Sequence, residues 1–102
     1  MIPTIYKNFE DWATSLEKEI GRDEDSLAFF HWALEDEYEA RLSEALEYFS
    51  SRPDFLAQEC TQHLAELSEL ETRFIGLEEF EKCAIIRDLS LELKARYAEL
   101  IG

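Results

Sequence analysis

Apolar side chains recur at intervals of three and four residues along almost the whole chain. This spacing limits the fold more than any other feature, because it places apolar residues on one face of an α-helix, whereas a half-buried strand needs strict alternation. The pattern is interrupted at Gly21, Pro53 and Gly76. Glycine suits the position just after a helix and proline suits the first position within one. The sequence therefore predicts four helices, at about residues 8–20, 25–50, 53–75 and 78–101.

Short connections between amphipathic helices restrict how these helices can be arranged. Loops of about two to five residues bring consecutive helices together as antiparallel neighbours. The chain has 102 residues, which suits one domain. Valine is absent while Leu, Glu and Ala dominate, a composition that favours helix over strand. We predict a single all-α domain over residues 1–102, folded as an antiparallel four-helix bundle or two helical hairpins.

Polar residues that can accept hydrogen bonds precede two of the predicted helices. Asn8 is expected to cap the first helix, and Asp23, Asp25 or Ser26 can cap the second. These residues satisfy backbone N–H groups that have no partner inside the helix. They support the predicted starts of both helices.

The second predicted helix carries more apolar residues than one stripe requires. Ala28, Phe29, Trp32 and Ala33 add a second apolar side near its N-terminal end. Such a helix either touches two neighbours or leaves an exposed apolar patch. We expect two neighbours, because a bundle supplies them. Phe29 and Trp32 are nevertheless the best candidates for a second contact surface.

The charge of the chain excludes some classes of partner. It holds 24 acidic and 10 basic residues, a net charge of −14. Direct binding of nucleic acid needs clustered Lys and Arg, so we do not expect it. No apolar run approaches the roughly 20 residues that span a bilayer, and we expect no membrane association. Cys60 and Cys83 lie within helical patterns and are interpreted as free thiols of a cytoplasmic protein.

Residues capable of catalysis or metal binding are present, but their arrangement is weak. His31 with Glu35, and Glu59 with His63, stand four residues apart and each pair shares a helix face. Cys83 lies near a helix start, which can lower the pKa of a thiol. A metal-dependent helical enzyme therefore remains a third hypothesis. We expect no enzymatic activity, no metal and no cofactor.

The residue order from Leu77 to Asp88 is the most specific part of the sequence. The acidic and aromatic pair Glu79-Phe80 is followed by Glu81-Lys82 and by the small residues Cys83-Ala84. Ile85-Ile86 and Arg87-Asp88 come next, and apolar Leu89 and Leu93 follow. Over about residues 70–95 this order resembles the UVR motif of the excision-repair proteins UvrB and UvrC. The resemblance implies a helical hairpin that pairs with a second hairpin and has no catalytic residues.

We predict from these features a non-enzymatic interaction module that acts through a UVR-like C-terminal hairpin. Its partner is another protein or a second copy of the chain, which makes a dimer one expected form. The residues expected to serve partner binding in the hairpin are Phe80, Lys82, Cys83, Ala84, Arg87 and Asp88. Arg87 is expected to pair with Glu69 or Glu71, or with a carboxylate of another chain. The alternative is an acidic mimic of nucleic acid that occupies the basic groove of a DNA- or RNA-binding protein. The net charge and the acid-rich second helix motivate it.

Overall fold

Four helices make up most of the chain in a computed structural model, which describes residues 9–101. They are α1 (Phe9–Glu19), α2 (Glu24–Phe49), α3 (Pro53–Gly76) and α4 (Phe80–Ile101). No strand occurs within this range, so the predicted all-α helical bundle is confirmed. Asn8, the expected cap of α1, lies outside the described residues. Among residues 9–101, no helix is both long enough and apolar enough to cross a membrane.

The helices pack unequally. The C-terminal hairpin of α3 and α4 forms the most extensive interface, α2 contacts both of these helices, and α1 lies mainly against α3. The centre is built from aromatic contacts: the rings of Phe30 and Phe74 meet edge-to-face at 5.4 Å, and those of Trp12 and Tyr38 at 5.7 Å. All four side chains are buried. Edge-to-face pairs of this kind stabilise a core beyond the area they bury.

Two of the predicted helix starts have the expected chemistry. Asp23 caps α2, because its carboxylate accepts hydrogen bonds from the Ser26 N–H at 3.2 Å and from the Ser26 hydroxyl at 2.6 Å. These hydrogen bonds hold the pKa of the Asp23 carboxyl below its usual value. Pro53 occupies the first position of α3, where its missing N–H costs no helical hydrogen bond.

The turn between α3 and α4 differs from the sequence-based expectation in one respect. Gly76 was expected to close the third helix, but it lies inside the last turn of α3. The residue with the left-handed backbone is Glu78, at φ 60°. The Glu79 N–H donates to the Phe74 carbonyl at 2.9 Å and the Glu78 N–H to the Ile75 carbonyl at 3.0 Å. This is the Schellman arrangement, with glutamate at the position that favours glycine.

The expectation that a second neighbouring helix covers the additional apolar side of α2 is wrong, because Ala28, Phe29 and Trp32 are exposed and only Ala33 is half-buried. Phe29 is 52% exposed and Trp32 is 58% exposed. Helix α1 packs mainly against α3, and a groove remains between α1 and α2 beside these two rings. Buried Phe30 and Leu34 of α2 face the core, while Phe29 and Trp32 remain as an exposed aromatic pair.

Candidate interaction surfaces

Helix α4 has an exposed face and a buried face. Some of the residues expected to bind a partner lie on the first and the others on the second. Phe80 is 62% exposed and Leu91 is 63% exposed. Ala84, four residues after Phe80, is exposed as well. Spacings of four and seven residues place these three side chains on one side of the helix. We call Phe80, Ala84, Arg87, Asp88 and Leu91 the outer face of α4; all five are exposed.

The inner face of α4 packs against the rest of the bundle. It holds Ile86, Leu89, Leu93 and Tyr97, all buried, as the sequence indicates. Phe80 and Ala84 are not part of this buried stripe, because both lie about half a turn away from it. The place at the start of the stripe is taken by Lys82.

Lys82 is the least expected residue of the core, at 1% exposed. Its ammonium group donates a hydrogen bond to the Ile20 carbonyl at 2.7 Å and forms an ion pair with the Glu79 carboxylate at 2.8 Å. It also lies 5.5 Å from the ring centre of Phe30 and 5.3 Å from that of Phe74. The Lys82 ammonium group therefore finds both of its partners within the chain. Its hydrogen bond to Ile20 connects the end of α1 to the start of α4.

Arg22, in the loop after α1, extends this connection to the turn of the hairpin. Its Nε lies 3.4 Å from the Glu79 carboxylate, and its guanidinium donates to the Leu77 carbonyl at 3.2 Å. Glu79 therefore has two cationic neighbours, Lys82 below it and Arg22 nearer the surface. Together they fix the α1–α2 loop onto the α3–α4 turn, which positions the outer face of α4 relative to the rest of the bundle.

Cys83 lies where α3 and α4 approach each other, and its surroundings suit a packing role. It is buried, and its thiol donates to the Glu71 carbonyl with a sulfur–oxygen distance of 3.6 Å. Burial, helped by the negative charge of Glu71, raises the pKa of this thiol. A raised pKa disfavours the thiolate that nucleophilic chemistry requires. Cys60 is also buried, and burial raises its pKa too.

Arg87 pairs across the hairpin. Its guanidinium donates to one Glu71 carboxylate oxygen from two nitrogens, at 2.9 and 3.2 Å. The prediction that its partner is a carboxylate of the third helix is confirmed. The pair is more than half exposed on the arginine side, so it limits the orientation of Arg87 and contributes little stability.

Phe29 and Trp32 form the second expected contact surface. Their ring centres are 5.8 Å apart, and both rings line a groove of about 420 Å³ between α1 and α2. The floor of this groove is apolar, with Leu16 from α1 buried and Ala33 from α2 half-buried. We call this feature the α1–α2 groove.

A buried polar cluster lies on the other side of α2. The Tyr38 hydroxyl donates to the Glu66 carboxylate at 3.1 Å, and Arg41 pairs with the same carboxylate. His63 Nδ1 and the Tyr97 hydroxyl are 3.1 Å apart. Burial, together with the positive charge of Arg41, lowers the pKa of His63 to about 4. The imidazole is therefore neutral at pH 7.

The histidine–carboxylate pairs suggested by the sequence exist but stay separate. His31 Nε2 lies 3.4 Å from Glu35, and His63 Nε2 lies 3.8 Å from Glu59. Among residues 9–101, no three His, Cys, Asp or Glu side chains are grouped closely enough to hold a metal ion.

Sequence reasoning missed the burial of Lys82 although a signal for it exists. Ile86, Leu89 and Leu93 follow Lys82 at spacings of four, seven and eleven residues, which places it on the same face as the buried stripe. Its acceptor, the Ile20 carbonyl, is 62 residues away along the chain, and no local pattern indicates that contact.

Comparison with known proteins adds no family assignment. No family model, curated protein or solved structure matches the chain. The resemblance of residues 70–95 to the UVR motif therefore stays a prediction.

Proposed function

We propose that this protein is a non-enzymatic protein-interaction module whose C-terminal hairpin, with its UVR-like residue order, presents the binding face. This binding face is the outer face of α4. Its partner is another protein or a second copy of this chain. Lys82 and Cys83 serve it from inside, by fixing α4 to the loop after α1 and to α3.

The single observation that carries the proposal is the apolar stripe on the outer face of α4. Phe80 and Leu91 are each about three-fifths exposed, and Ala84 leaves a shallow gap between them. Burying the exposed part of either large side chain against a partner is worth about 1–2 kcal/mol. Large apolar residues aligned along one exposed helix face are typical of a protein-binding surface.

Charges of opposite sign lie on the two sides of the stripe. Arg87 lies on the side toward α3, where Glu71 holds it, while Asp88 lies on the opposite side. A partner that meets this face encounters positive charge on one side and negative charge on the other. Such an arrangement favours one orientation of a bound helix over the reverse.

The test compares association before and after the stripe is made polar. We expect the double variant Phe80→Ser/Leu91→Ser to lose self-association in sedimentation velocity, or to lose a protein that wild type retains in affinity purification. Arg87→Glu is expected to weaken the same association, because it reverses the charge beside the stripe. Stability should change by less than about 0.5 kcal/mol for the exposed positions.

Tyr48→Ser provides the matched control, because Tyr48 is a highly exposed aromatic residue of α2 and lies outside the outer face. It should leave association unchanged. The proposal is refuted if the folded Phe80→Ser/Leu91→Ser protein has the same mass in solution and retains the same proteins as wild type.

A mimic of nucleic acid is the second candidate, and a row of acids on α4 is the observation that favours it. Glu81, Asp88, Glu92 and Glu99 are all exposed and stand seven, four and seven residues apart. The row spans about 27 Å. A DNA strand of that length carries roughly eight phosphates, so the row has about half the charge density of one strand. Steeply salt-dependent binding to a basic DNA-binding protein, unaffected by Phe80→Ser/Leu91→Ser, would favour this candidate instead.

A further inference from the structure

The α1–α2 groove presents an apolar surface that the bundle does not cover. Phe29 and Trp32 form one wall, and more than half of the surface of each residue is exposed to solvent. Leu16, Ile20 and Ala33 continue the apolar surface beneath them. The groove, at about 420 Å³, falls within the size range of sites that hold large side chains or small ligands.

The charged residues at the edge of the groove are all acidic. Glu19 lies on the α1 side, and Asp36 and Glu37 lie on the α2 side. Arg41 pairs with Glu37, so Glu19 and Asp36 are the exposed carboxylates at this edge. Asp36 follows Trp32 by one helical turn and therefore stands beside the exposed indole. No lysine or arginine lines the groove within the described residues.

These charges distinguish between occupants. A second copy of the chain carries a net charge of −14 and would present the same acidic edge, so pairing through this groove opposes like charges. An acidic or neutral partner gains nothing from Glu19 and Asp36. A segment with apolar residues along one side and Lys or Arg beside them satisfies both the aromatic wall and the acidic edge. Arg can in addition stack on the face of Trp32.

We propose that the α1–α2 groove is the docking site for a basic amphipathic helix of another protein, whose apolar side chains contact Phe29 and Trp32 while its Lys or Arg side chains pair with Glu19 and Asp36. This is binding of a helix in a groove. It rests on residues apart from the outer face of α4, so it stands or falls independently of the proposed function.

The experiment uses the full chain and a designed peptide of about 18 residues, or five helical turns. The labelled peptide carries Leu and Phe at helical spacing, with no Trp of its own, and Lys or Arg elsewhere. A control peptide has Glu in place of every cation. Fluorescence anisotropy should report binding of the basic peptide only, and the affinity should fall as salt increases. Emission of Trp32 should shift to shorter wavelength on binding, because Trp12 is already buried.

Two sets of variants separate docking in the groove from general attraction to an acidic protein. Phe29→Ser/Trp32→Ser should lower the affinity at least about tenfold, as expected for loss of aromatic anchors. Glu19→Lys/Asp36→Lys should lower the affinity and flatten its dependence on salt. The matched controls are Tyr48→Ser for the aromatic residues and Glu47→Lys for the acids; both positions are exposed on α2 outside the groove. Each control should stay within about twofold of wild type, since such positions carry little binding energy.

Three kinds of result overturn the proposal. The first is a lack of specific binding. Either wild type and the folded Phe29→Ser/Trp32→Ser variant bind the basic peptide equally, or wild type binds the basic peptide no more tightly than the Glu peptide. The second is binding without a change in Trp32 emission, because a helix in the groove must cover the indole. The third is a wild-type dimer that the same double variant converts to monomer, which would assign the groove to a second copy.

Discussion

Lys82 offers the sharpest test of how the bundle is held together. Its ammonium group is almost wholly buried and contacts both the Glu79 carboxylate and the Ile20 carbonyl. Lys82→Met keeps a side chain of similar length, so the apolar contacts of the stem largely persist. The substitution removes the charge and leaves Glu79, whose side chain is 8% exposed, with only Arg22 nearby.

The expected loss follows from that uncompensated carboxylate. Removing one partner of a buried ion pair costs about 3–5 kcal/mol. Arg22 Nε remains 3.4 Å from Glu79 and offsets part of the cost, so we expect about 3 kcal/mol, near the lower limit. At about 4–8 °C per kcal/mol for a domain of this size, Tm should fall by about 12–24 °C. A total stability of about 5–15 kcal/mol makes this a large fraction.

Urea unfolding followed by far-ultraviolet circular dichroism measures the change. Lys94→Met is the matched control, because Lys94 is exposed on the same helix; it should change stability by less than about 0.5 kcal/mol. Glu79→Gln added to Lys82→Met should recover stability, since it removes the unpaired charge. A loss below about 1 kcal/mol for Lys82→Met, or no recovery in the double variant, would refute this account of the buried pair.

The remaining predictions concern stability at four other positions. Because burial lowers the pKa of His63 to about 4 from 6.5, the unfolded chain takes up its proton first. The free energy of unfolding should therefore fall by up to about 3 kcal/mol as pH decreases from 6.5 to 4. In the His63→Gln variant, urea unfolding measured at each pH should not show this decrease. Glu78→Gly should raise stability by about 0.5–1 kcal/mol, because glycine tolerates the left-handed backbone. Gly76→Ala should add a similar amount, since a β-carbon there meets no atom within 4 Å. Phe30→Ala should cost about 3–5 kcal/mol, whereas Phe29→Ala, its exposed neighbour, should cost less than about 1 kcal/mol; equal losses would contradict the assigned core.

The arrangement of helices could be predicted because the decisive signals are local. Hydrophobic spacing and the breakers near Gly21, Pro53 and Gly76 depend on residues a few positions apart. The end of α3 shows where such reasoning stops. Glycine favours the left-handed position, but Phe74 and Ile75 accept the turn's hydrogen bonds in a register that puts Glu78 there.

The candidate surfaces were predictable only in part, for a different reason. The hairpin topology indicated a partner for Arg87 on α3 and left Glu69 and Glu71 open; the structure selects Glu71. The exposure of Phe29 and Trp32 depends on where α1 packs, mainly against α3, and no pattern within α2 contains that information. Lys82 was expected at a partner surface because it belongs to the UVR-like residue order. Its burial requires Glu79 and the Ile20 carbonyl to meet it at the same point, and the carbonyl belongs to a distant part of the chain.

The central claim, that the outer face of α4 binds a protein, can be tested most directly by photo-crosslinking in cells that produce this protein. A photoreactive amino acid at Ala84 stands between Phe80 and Leu91, whereas the same group at Ser43 is exposed on α2 and serves as control. We predict a crosslinked species of defined mass from position 84 that Phe80→Ser/Leu91→Ser abolishes, and none from position 43. Equal crosslinking at both positions, or a product from position 84 that survives the double substitution, would contradict the account.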